Sequence, residues 1–266
     1  MGTQQHEPQS APPRSSQEWV GYFRRNAEAR AAWPHSGALT LSPWERRAIE
    51  SSIAEFQLGE SSEGRHLKDL ARRWALRAGD WDYAHAIDLF IAEENRHAGE
   101  LGAFMDAEAI GRLGHSWADR IFRGLRKLAG LELAVRVLVT AEIIAQVYYQ
   151  ALRDATQSSK LREICGRILE DEDPHVQFQC ERLAILRRGR AGRSLVEASH
   201  WILLGGAALV VWVNHRRVLR AGRFGLVDYL REVAACGANA MRIADSARYR
   251  WPEERSEQQL PVAQPS

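Results

Sequence analysis

The sequence predicts an all-α protein: a four-helix bundle with an extra N-terminal helix and two C-terminal helices. Three observations predict it. No segment sustains the two-residue apolar alternation of a half-buried strand. Proline and glycine fall mainly between long segments rather than within them. Inside those segments apolar residues recur in steps of three and four, which keeps one helix face toward a partner.

The elements follow in order. Residues 1–17 are polar and contain Pro8, Pro12 and Pro13, which reads as a disordered tail without the apolar run of a secretion signal. A short helix is expected over Trp19–Trp33, closed by Pro34, with a linker to 41. The next helix should start at Ser42-Pro43, where serine caps and proline suits the first turn. It is expected to run to Ala78, ahead of Gly79. Its stripe is Ile53, Phe56, Glu60, Glu63, Leu67, Leu70 and Trp74. A second core helix begins after Asp80 and carries Ile87, Phe90, Glu94, His97, Leu101 and Phe104. The third, over Leu131–Thr156, carries Leu138, Glu142, Ala145 and Tyr149. The fourth, over Ser159–Leu186, carries Cys165, Ile168, Glu172, His175 and then Phe178 or Gln179. A crossover over 109–129 joins the two hairpins, so the bundle occupies 42–188. Two more helices are expected over Ser194–Leu219 and Leu226–Ala247 in an extension spanning 189–250, before a second disordered tail over 251–266.

Composition excludes several functions. The chain has 266 residues, 36 basic and 34 acidic, a net charge of +2. Interspersed charges of both signs argue against nucleic-acid binding. Three cysteines suit a reducing cytoplasm and are too few for a disulfide framework. Trp201–Val213 is thirteen residues without a charge, shorter than the ~20 needed to span a bilayer. Arginines on both sides (Arg187, Arg188, Arg190, Arg193; Arg216, Arg217, Arg220) would suit a membrane-surface contact. The same apolar run, with its Gly205-Gly206 notch, would equally suit a homo-oligomer interface or the wall of a lipophilic pocket.

Chemistry enters through the seams. A carboxylate in an apolar stripe costs several kcal/mol unless it is paired or holds a metal. Here each of the four core helices carries one mid-stripe, and two carry Glu-x-x-His, which puts an oxygen and a nitrogen on one helix face. Four Glu-x-x-His pairs occur, at Glu63/His66, Glu94/His97, Glu172/His175 and Glu197/His200. Only the middle two have both members on an apolar stripe. A metal-free hydrogen-bonded network is the competing reading, but six ionisable groups in one core repel one another without cations. The donor set is compatible with iron or manganese.

Gly59-Glu60-Ser61 and Glu94-Asn95-Arg96-His97-Ala98, followed by Glu142 and Glu172-x-x-His175, resemble the two halves of a rubrerythrin or ferritin-like diiron-carboxylate protein. The resemblance covers 42–186. It implies a ferritin-like four-helix bundle whose metal ligands are Glu60, Glu94, His97, Glu142, Glu172 and His175. It also implies two iron ions, with manganese the other candidate, dioxygen or peroxide as co-substrate, and an oxidase or oxygenase acting on a small molecule with an unnamed electron donor. Ferroxidase or iron-handling activity without an organic substrate is the alternative, and a metal-free scaffold a third. The chain lacks the C-terminal cysteine motif of rubrerythrins. It also has Ala145 where they carry a further carboxylate, so the resemblance does not extend to their peroxidase activity. Glu63 competes with Glu60 for the first-helix position, because the 31-residue step from Glu63 to Glu94 matches the 30 between Glu142 and Glu172. Tyr149 falls on the inward stripe as a donor or relay beside the ligands.

Overall fold

Serine and aspartate caps set where the chain turns helical. In the computed structural model, which describes residues 11–30, 40–61, 64–114, 130–189 and 193–251, Ser15 accepts from the backbone of Glu18 and the Glu18 carboxylate returns to Ser15. This capping box starts α1 (Ser16–Ala29), so residues 16 and 17 form its first turn. The helix ends before the expected Trp33, which lies outside the described residues. Ser42 and Glu45 repeat the box at the head of α2 (Pro43–Glu60), with Pro43 in the first turn. Asp80 caps α4 (Trp81–Ala107) and Ser158 caps α6 (Ser159–Arg187).

The expected single helix from Ser42 to Ala78 is two, α2 and α3 (Arg65–Ala78). The segment Gly59–Gly64 explains the break, because serines compete for backbone hydrogen bonds and glycine weakens a helix. Gly64 adopts φ +59°, and a Cβ there would collide with the side chain of Ile91 on α4. Only glycine allows that close approach. The remaining helices are α5 (Leu131–Asp154), α7 (Arg193–Ala221) and α8 (Leu226–Ile243), followed by a 3₁₀ turn at Ser246–Arg248. The last helix therefore stops short of Ala247. Of the crossover, residues 115–129 lie outside the described residues, as do 1–10 and 252–266 of the tails.

The pairs α5–α6 and α2–α4 form the bundle, with α1 and α3 laid along α4. Helices α7 and α8 cover α5, α7 also touches α2, and α8 also touches α6. The apolar interior falls into two clusters. One, at the α1 end, includes Phe23, Ile87, Phe90, Val135, Leu138 and Phe178. The other includes Ile49, Ile53, Leu101, Phe104, Tyr148, Leu152 and Ile168. Glu60, Glu94, His97, Glu142, Glu172 and His175 lie on the helices that carry both clusters, with apolar residues of each before and after them along the stripes.

Helix α7 differs from its sequence reading. Val196–Ala221 is long and apolar enough to cross a membrane by length and composition, longer than the thirteen-residue run suggested. Its inner face is nevertheless core, with Leu204, Ala207, Ala208, Val211, Trp212, Val218 and Leu219 buried.

Candidate metal centre

Six side chains from four helices converge: Glu60 from α2, Glu94 and His97 from α4, Glu142 from α5, Glu172 and His175 from α6. They form two groups in which one donor atom per residue lies within 4.8 Å of every other. The first group is Glu60, Glu94, His97 and Glu172; the second is Glu94, Glu142, Glu172 and His175. Glu94 and Glu172 belong to both, the position required of a carboxylate shared between two cations. His97 and His175 face each other with ring centroids 5.8 Å apart. Both are fully buried, as is Glu172.

The fit to metal rests on atoms without partners. Glu94 Oε1, both oxygens of Glu172, His97 Nδ1 and both nitrogens of His175 are buried and make no hydrogen bond. His175 Nδ1 lies 3.1 Å from Glu94 Oε1, yet neither atom is aimed at the other for a hydrogen bond. Lone pairs that crowd a common point without bonding each other are what a cation would satisfy.

Electrostatics agree. Burial, and then repulsion from Glu94, push the Glu60 carboxyl up to about 8. Burial, with repulsion from Glu142 and Glu94, lifts Glu172 well above the carboxylate range. Burial opposes a charge on His175, but Glu93, Glu94 and Glu142 outweigh it and raise its pKa well above the usual histidine value. Without cations the pocket therefore gathers protons to offset its own charge.

Tyr149 is buried and donates to Glu60 Oε1 at 2.6 Å. Glu63 lies outside the described residues. His66 and His200 join neither group, and His200 is buried elsewhere, beside Arg136 and Arg187.

The sequence reading missed a second layer. Asp171 Oδ2 lies 3.1 Å from His97 Nε2, and Glu93 Oε2 lies 3.7 Å from His175 Nε2. The acid preceding each shared glutamate thus serves the histidine of the opposite helix. Asn26 of α1 donates to both Glu93 and Asp171. Arg96 does the same, at 2.9 and 2.8 Å, and Arg30 adds a 3.0 Å contact to Asp171. Burial works against ionisation of Asp171, but the bonds from His97, Arg96 and Asn26 hold its pKa far below the usual range. Phe90 meets His175 edge-on at 4.8 Å, with Phe23 at 6.1 Å, closing that side to water.

No protein-family model matches the chain, and no curated protein matches it in sequence. A solved structure does resemble it: an R2-like ligand-binding oxidase, in a point-variant form with an aerobically reconstituted Mn/Fe cofactor. The two share 16% identity over 93% of this chain and 95% of that one, with a TM-score of 0.60. The fold is therefore the ferritin-like helical bundle of that oxidase. The resemblance covers more of the chain than the four core helices alone.

Proposed function

We propose that this chain is a dinuclear metal oxidase that uses dioxygen or peroxide on a small apolar molecule. The observation that carries the reading is the set of buried, unbonded oxygen and nitrogen atoms in two groups sharing Glu94 and Glu172. Glu60, Glu94, His97 and Glu172 would hold one ion, and Glu94, Glu142, Glu172 and His175 the other. Iron suits these donors and manganese can take the same places; the Mn/Fe description of the similar structure supports this pair. When bound, the ions supply redox chemistry toward dioxygen or peroxide.

The chain's own residues do the rest. Asp171 lies 3.1 Å from the outer nitrogen of His97 and Glu93 3.7 Å from that of His175, while each Nδ1 lies on the side of the shared carboxylates. Tyr149 holds Glu60 by its hydroxyl and can pass a proton to Glu60 Oε1 across 2.6 Å. The hydrocarbon on either side excludes water and favours an apolar substrate over a charged one.

Anaerobic loading with ferrous or manganous ions, followed by metal analysis and optical spectra on oxygen exposure, tests this. Two ions per chain are expected. Glu94→Ala and Glu172→Ala each remove a ligand from both groups and should abolish loading of at least one ion with helicity kept. His66→Ala and His200→Ala should load like the wild type. Under about half an ion per chain in the wild type, with either metal, would overturn the reading.

A further inference from the structure

Three helices bring two arginines and a histidine together at the end of the bundle where α5 starts and α6 stops. Arg136 precedes Glu142 on α5, and Arg187 follows His175 on α6. At 1.5 Å per residue the group is displaced from the metal centre by ~9 to ~18 Å along the two helices. His200 comes from α7, which packs on α5.

Part of this cluster is paired. Arg187 Nε donates to Glu132 Oε1 at 3.1 Å. Arg136 Nη1 donates to Ser199 Oγ at 2.7 Å and to the Val196 carbonyl at 3.5 Å. The remaining polar atoms have nothing to meet: Arg136 Nε, Arg187 Nη2 and both ring nitrogens of His200 are buried and make no hydrogen bond. His200 is wholly buried, while Arg136 and Arg187 are partly exposed, so solvent reaches the edge of the group. The charges acting on His200 are both cations. Burial first, and then Arg136 and Arg187, hold it down to about 4, so it is a neutral ring with one N–H. Burial and Arg187 also disfavour the charge on Arg136, against which Glu132 works. Glu132 thus offsets one of two guanidinium charges.

We infer that this cluster binds a phosphate group, free or esterified, whose oxygens accept from Arg136 Nε, Arg187 Nη2 and the N–H of His200. Buried donors without acceptors call for a ligand that accepts. Guanidinium N–H groups form strong charge-assisted bonds with oxyanions. Three donors from three helices suit a tetrahedral oxyanion with an oxygen for each, rather than a carboxylate with two. A water could take some of these bonds but would leave the excess positive charge.

Calorimetric titration of inorganic phosphate into the full chain, with and without chelator, tests this. One saturable site per chain is expected in both conditions. Arg136→Gln and Arg187→Gln should each weaken it about tenfold or more, with circular dichroism unchanged. Arg136→Lys keeps the charge but loses Nε, and should weaken it too. Ser199→Ala, which touches only Arg136 Nη1, and Glu94→Ala, in the metal centre, should bind phosphate like the wild type. No saturable binding up to about 10 mM phosphate would overturn the proposal. Binding that survives both glutamine substitutions, or that Glu94→Ala abolishes, would place the phosphate elsewhere and overturn it as well. Sedimentation with phosphatidic acid vesicles, lost in the same arginine variants, would assign the phosphate to a lipid headgroup. Phosphate binding without sedimentation would assign it to a soluble compound.

Discussion

Replacing Glu60 by glutamine should stabilise the metal-free protein while destroying part of the metal site. In the folded, metal-free chain the Glu60 carboxyl is raised from 4.5 to about 8, by burial first and then by Glu94. Between those values the folded chain keeps a proton that the unfolded chain releases, so stability falls as pH rises from 4.5 to 8. At pH 7 the cost is about 1.4 kcal/mol per pH unit over roughly 2.5 pH units, or about 3 kcal/mol. Glutamine never ionises, its carbonyl can still accept from Tyr149, and its amide can donate to the neighbouring carboxylates. A gain of about 1–3 kcal/mol at pH 7 is expected, vanishing near pH 4.5 and largest above pH 8. Urea unfolding of wild type and Glu60→Gln in chelator, across that range, measures it. Added metal should invert the order, because ions bind the folded wild type and raise its stability by mass action. A variant less stable than the metal-free wild type at pH 8, or a difference that ignores pH, would refute this account of the centre.

Asn26→Ala should weaken metal binding about 10- to 100-fold, since it removes the link between the two carboxylates that orient the histidines. Competition titration against a chelator reads this. Ser16→Ala, which loosens α1 only at its contacts with Asp80 and Arg182, should leave the affinity unchanged. Burial pushes His215 and His200 down to about 4. The folded chain keeps both neutral down to about pH 4 while the unfolded chain protonates them below about 6.5, so stability falls across that window, by about 2 kcal/mol each at pH 5. Urea midpoints at pH 7 and 5 should show a smaller acid loss for His200→Phe than for the wild type; equal losses would contradict the prediction.

The six converging side chains were legible because burial of acid in an apolar stripe is a local anomaly. The residues around them were not. Glu93 and Asp171 sit one position before Glu94 and Glu172, about 100° around the helix from the stripe, where an acid reads as solvated surface. Asn26 and Arg30 are brought near by α1 docking across α4 and α6, and Arg96, one turn after Glu93 on α4, reaches across to Asp171. The doubled acid in Glu93-Glu94-x-x-His97 and Asp171-Glu172-x-x-His175 was the available signal. The break between α2 and α3 escaped for the opposite reason. Leu67, Leu70 and Trp74 continue the rhythm of Ile53 and Phe56 across the gap, so the pattern concealed the interruption marked by Gly59 and Gly64.

The crossed pairing of the acids makes the centre indivisible during biosynthesis. His97 is oriented by Asp171, 74 residues later, and His175 lies beside Glu93, 82 residues earlier. A nascent chain ending before α6 holds Glu60, Glu94 and His97, yet lacks both the shared Glu172 and the carboxylate that turns the His97 ring. Long-range contacts of this kind form late in folding. A half-made chain thus presents no finished cup for a reactive cation, and metal capture waits until the second hairpin closes on the first.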